Sequence, residues 1–201
     1  MKLTRIGRLA AIGVLAVSSA WMCSAHAYDF ARAYEAFQAG RFDQALALWR
    51  PLADAGDAKA QYNLGVMYAD GRGVRRDDAR ALAWWKRAGA QGHVRALHNI
   101  GLAYIGNGKQ DYTEALRYLR QAAERGFANS QYSLGKMFHY GLGVEEDAAQ
   151  AAVQFRLAAQ QGFVKAAYNL GKAYRDGDGV DADDAQSAHW FRVAAEGGYA
   201  K

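Results

Sequence analysis

The chain has 201 residues, 51% of them apolar, and 25 lysines and arginines stand against 20 acidic residues for a formal net charge of +5. So apolar a composition excludes a disordered tail or an acidic linker, and the length suits one domain, two small ones or a short repeat array. One proline against 22 glycines points to helices punctuated by glycine, while the basic balance raises nucleic acid as a partner until the charges are located.

The first segment reads as an address. Lys2, Arg5 and Arg8 precede an apolar run from Leu9 to about Met22, which exits through Ser24-Ala25-His26-Ala27. A basic start, a short apolar stretch and small residues in an A-x-A exit describe a secretory signal peptide over 1–27, cleaved after Ala27. The run falls short of the ~20 residues a membrane span needs, so the expectation is a periplasmic or secreted protein with no stable membrane insertion. The leader contains three basic residues and no acid, which leaves the mature chain at +2. The basic balance is largely an export signal, and a nucleic-acid partner loses its support. Cys23, the only cysteine, lies inside the leader behind Trp21 and Met22, where lipidation needs small residues. The mature chain therefore has no thiol for a disulfide, a metal or a nucleophile.

Residues 28–57 read as a capping helix pair: Tyr34 and Phe37, a turn at Gly40-Arg41-Phe42-Asp43, then Ala45-Leu46 and Leu48-Trp49. Beyond it the sequence repeats. Leu64-Gly65, Ile100-Gly101, Leu134-Gly135 and Leu170-Gly171 recur at about 36 residues, and Gly56, Gly92, Gly126, Gly162 and Gly198 keep the same rhythm. So do Asp77, Asp111, Asp147 and Asp183, and Ala88, Ala122, Ala158 and Ala194. The units are 58–93, 94–127 (shortened at Ile105-Gly106-Asn107-Gly108), 128–163 and 164–199.

Each unit predicts two helices. In the first, Ala60, Leu64, Met67 and Tyr68 share one face, and the recurring Gly65 position implies a partner helix approaching closely enough to offset its cost of about 1 kcal/mol. A Gly-x-Gly-Val loop ends the first helix, the aspartates cap the second, and Gly92, Gly126, Gly162 and Gly198 close it. The second helix carries an alanine and aromatic stripe, Ala81-Trp84-Trp85-Ala88 in the first unit.

The pattern L-G-x-x-Y-x-x-G-x-G-V, then D and A-x-x-W-[WF]-x-x-A-A-x-x-G, resembles the Sel1-like repeat, a relative of the tetratricopeptide repeat with a longer loop. The resemblance covers Ala58–Tyr199 and implies an all-α, right-handed superhelical solenoid of stacked antiparallel helix pairs. It also implies an adaptor that binds a protein or peptide. A cysteine-rich branch of the family has been linked to β-lactam hydrolysis, which makes a cell-envelope hydrolase the rival reading, but this chain lacks the paired cysteines.

Catalytic chemistry finds little footing. His26, His93, His98, His139 and His189 form no helical metal pair, and no serine sits in a G-x-S-x-G context. Asp176-Gly177-Asp178-Gly179-Val180-Asp181 hints at a calcium loop, but Val180 occupies a ligand place and Asp181 stands where glycine is required. No cofactor or metal is expected, and no enzyme.

A binding surface remains. In tetratricopeptide arrays the first helices line the concave face, so the stripe opposite each first helix's core is the candidate: Lys59, Arg95 and Lys165, then Asn63, Asn99 and Asn169, then Lys136 and Lys172, with His139 and Arg175 one turn on. Ammonium and carboxamide groups suit an extended, acidic peptide. Ala200-Lys201 align with Ala58-Lys59 at the head of a unit, so either the last pair ends in a polar rim or its edge meets a partner, as in an oligomerising envelope subunit.

Overall fold

Aspartate places five of the helix starts. Asp57, Asp77, Asp111, Asp147 and Asp183 each accept from the backbone N–H three residues on, at 2.7 to 3.0 Å, satisfying one of the donors a helix leaves free at its N-terminus. The computed structural model describes residues 27–106 and 110–199. The leader, apart from Ala27, lies outside the described residues, as do Asn107 and Gly108 of the shortened loop and Ala200-Lys201. Among the described residues there are ten helices and no strand: α1 (27–38), α2 (Phe42–Asp54), α3 (Ala58–Asp70), α4 (Asp78–Ala90), α5 (Val94–Gly106), α6 (Tyr112–Glu124), α7 (Ala128–His139), α8 (Ala148–Gln160), α9 (Val164–Asp176) and α10 (Asp184–Glu196). Helices of 12 or 13 residues are marginal alone, so their stability comes from stacking. The fold is an all-α solenoid of helix pairs.

The chain divides into two compact units after Trp84, within α4. In the first, α2 packs on α3 around Ala33, Ala36, Ala45, Trp49, Leu52, Ala53, Ala60, Leu64 and Met67. The expected turn at 40–43 is shorter than the sequence suggested: α2 already begins at Phe42. Phe42 belongs to the helix because its ring packs edge-on against Phe37, with centroids 5.4 Å apart.

In the second unit each helix from α5 to α10 packs on the next. The recurring glycine of the first helix explains how closely. A β-carbon on Gly101 would lie 2.6 Å from Leu119, on Gly135 2.7 Å from Phe155, and on Gly171 2.9 Å from Phe191. The partner helix thus approaches as expected, and the space is claimed by its Leu119, Phe155 or Phe191 side chain. Ala115, Leu119 and Ala122, and Ala151, Phe155 and Ala158, bury the stripe on the second helices. A second device joins successive pairs. Arg50 donates to the Tyr68 hydroxyl at 3.2 Å within the first unit, and Arg156 donates to the Tyr174 hydroxyl at 2.7 Å within the second. Both link a second helix to the following first helix at equivalent positions.

Candidate functional site

In the second unit a cavity opens between α7, α8 and α9. Lys136, His139 and Tyr140 at the end of α7, Ala148, Ala151, Ala152 and Phe155 of α8, and Asn169, Lys172, Ala173 and Asp176 of α9 line a volume of about 400 Å³, together with Tyr132 and Asp178. That is within the range of small-ligand pockets, about 300–1,000 Å³. Its floor is apolar and buried, and its mouth is charged.

The charges at the mouth are not equivalent. Asp176 accepts two hydrogen bonds from Arg175, at 2.7 and 3.0 Å, and that guanidinium, aided by Lys172, holds its carboxyl below the usual range. Asp178 stands 3.5 Å from His139 Nδ1. Lys136 and Lys172 have no ion-pair partner among the described residues. Burial raises the pKa of the Tyr132 phenol, an effect that Asn169 offsets in part. The Tyr132 ring lies 5.9 Å from Phe155 and 4.8 Å from Phe163, while Tyr140 is 60% exposed beside His139. An incoming group meets two free ammoniums, an aromatic wall and two carboxylates already engaged.

Of the residues singled out in the sequence, Lys136, His139, Asn169 and Lys172 come together here. Arg175 does not join them, because it turns to Asp176. Lys165 is exposed at the start of α9, Arg95 exposed and Asn99 half-buried on α5, all outside this cavity. Lys59, exposed, and Asn63, half-buried, belong to α3 in the first unit. The stripe reading missed Tyr132, Tyr140 and the alanines, since it followed outward polar positions only. Comparing side-chain sizes at equivalent positions of successive repeats would have found them.

Two further groups bear on chemistry. His98 Nδ1 and Ser130 Oγ are hydrogen-bonded at 2.9 Å, but Ser130 is 0% exposed and the Phe127 ring closes the imidazole edge-on. No substrate reaches that hydroxyl, so the contact is packing. Two of the three aspartates of the calcium-like loop face Arg175 and His139, and among the described residues no cluster of three metal-ligating side chains occurs. Among them too, no helix is long and apolar enough to cross a membrane.

Comparison with known proteins completes the picture. The Sel1 repeat matches residues 58–93, 94–127, 128–163 and 164–199. A search of the curated proteins finds no significant match. Among solved structures, a protective antigen of uropathogenic Escherichia coli strains displaying an SLR fold is 35% identical with a TM-score of 0.82, covering 86% of this chain and 38% of its own. A Sel1 repeat protein from Oxalobacter formigenes is 26% identical with a TM-score of 0.79, covering 84% of this chain and 70% of its own. The chain therefore spans well under half the length of the E. coli antigen.

Proposed function

Since the chain belongs to the Sel1 repeat family, we propose that it is an exported protein-interaction scaffold that holds an acidic peptide segment of its partner in the cavity between α7, α8 and α9. Proteins with Sel1 repeats commonly serve as protein-interaction scaffolds. The observation that carries the finer reading is the pair of unpaired ammoniums, Lys136 and Lys172, over an apolar floor. Neighbouring helices lie about 8–10 Å apart, near the Debye length of about 8 Å at physiological salt. Each ammonium thus acts nearly alone, and an acidic segment gains by engaging both. The Ser130–His98 contact is enclosed and lends the hydrolase reading no support.

Reversing both charges, Lys136→Glu with Lys172→Glu, is expected to weaken binding of an acidic peptide by about tenfold at low salt, with the difference shrinking as salt is added. Far-UV circular dichroism should stay unchanged, because both side chains are exposed. Equal affinity in the variant returns these lysines to an ordinary solvated face. Export rests on the basic, apolar and A-x-A order of residues 1–27. Terminal sequencing of protein recovered from the producing cell is expected to begin at Tyr28, and a chain beginning at Met1 would rule out cleavage of the leader.

A further inference from the structure

The cavity exists because three side chains that fill two of its counterparts are absent. Between α5, α6 and α7 the equivalent space holds Tyr112, Leu116 and Met137, packed with Ile105 and Leu142 on Ala115 and Leu119. In the first unit the same positions of α2 and α3 are Phe42, Leu46 and Met67, again packed together. In α8 and α9 they are Ala148, Ala152 and Ala173, and the flanking Ile105 and Leu142 positions have become His139 and Asp178. The backbone has not closed over the loss. Gly73 sits against Phe42, Gly143 against Tyr112 and Gly179 against Ala148, so the loop keeps one seat in all three places. Phe155 in place of Leu119 returns only part of the volume, and about 400 Å³ stays open, far more than the ~30 Å³ share of one water.

Resting on the proposed peptide-binding reading, the geometry points to the occupant of this slot: one aromatic side chain of an extended partner segment that carries a carboxylate two residues away. The missing group includes a ring, at Ala148, and the walls are the rings of Tyr132 and Phe155, surfaces that favour an inserted aromatic. Side chains two apart in an extended segment share a face about 6.6 Å apart, a span that places one in the slot and the other at the free Lys136 and Lys172. Lys136 and Lys172 at the same mouth offer two cations to a carboxylate carried there. Ala148, Ala152 and Ala173 thereby determine specificity: they leave open a slot that Tyr112, Leu116 and Met137, and Phe42, Leu46 and Met67, fill from within.

The test pairs a fluorescein-labelled peptide, blocked at both ends with the core Glu-Gly-Trp-Gly-Glu, with the full chain and with the double variant Ala152→Leu/Ala173→Met. The variant restores two of the residues found at the equivalent positions elsewhere and is expected to melt at the same temperature or higher. It should bind the peptide at least about tenfold more weakly than the native chain. In the native chain, replacing the peptide's Trp by Ala should cost a similar factor, a comparison that needs no protein variant. If the Trp and Ala peptides bind the native chain equally while Lys136→Glu/Lys172→Glu still weakens both, the slot is overturned and the charged site stands. Absence of binding by either peptide overturns both. Binding confined to peptides ending in a free Trp carboxylate overturns the internal placement.

Discussion

Gly143→Ala is expected to destabilise the protein by about 3 kcal/mol, whereas Gly141→Ala, two residues earlier in the same loop, should cost about 1 kcal/mol. The two glycines share nearly the same left-handed backbone, φ 72° and 62°, so conformational strain penalises an alanine alike at both. They differ in what a β-carbon meets. At Gly141 the nearest atoms lie 3.4 Å or more away, which is ordinary contact. At Gly143 they are the Tyr112 β-carbon at 2.6 Å and the Tyr112 backbone at 2.8 and 2.9 Å. A backbone cannot swing aside as a side-chain tip can, so the loop must lift from the start of α6. Each pair in a solenoid touches only its neighbours, and the displaced loop therefore loosens the α6–α7 contact directly. Chemical denaturation of both single variants checks the difference, which corresponds to a Tm gap of several degrees at this chain length. Equal losses would mean that φ alone demands glycine and that the seat on Tyr112 is incidental.

The same loop shows what a repeat makes legible before any coordinates. The period assigns residues to columns, and the columns assign the core: Leu64, Ile100, Leu134 and Leu170 are all buried, as an inward face at a fixed register must be. The capping role of Asp111, Asp147 and Asp183 was readable for the same reason, because a carboxylate recurring just before an alanine-rich stretch has one structural use. Two things were not readable. One is partner choice among surface charges: Arg175 and Lys172 belong to the same outward stripe, yet Arg175 hydrogen-bonds the adjacent Asp176 while Lys172 forms no ion pair among the described residues. The other is the cavity, which arises from side-chain size and not polarity. Ala148, Ala152 and Ala173 look like good helix formers in isolation, and only their contrast with Tyr112, Leu116 and Met137 reveals missing volume.

Column comparison also isolates the group expected to govern acid stability. Where other units place Tyr62, Tyr132 and Tyr168, the second has His98; where they place Ala60, Ala96 and Ala166, the third has Ser130. These two departures meet at 2.9 Å in the core between α5 and α7, with His98 only 8% exposed. Burial pushes the imidazole pKa down to about 4 from its ordinary 6.5, because the charged form loses its hydration and gains no carboxylate in return. The unfolded chain thus binds the proton more readily than the folded one between those values. Stability from this group is intact above pH 6.5, falls as the pH drops from 6.5 towards 4, and changes little below that. The loss amounts to about 2.5 kcal/mol by pH 4.5. The double variant His98→Tyr/Ser130→Ala restores the residues of the neighbouring repeats and removes the titrating group. Urea denaturation of both proteins at pH 7 and 4.5 should therefore show the native chain losing about 2–3 kcal/mol more than the variant, since titration of the carboxylates is common to the two. Equal losses would mean that His98 takes up its proton without unfolding the α5–α7 contact, and that the histidine is no more than a packing substitute for tyrosine.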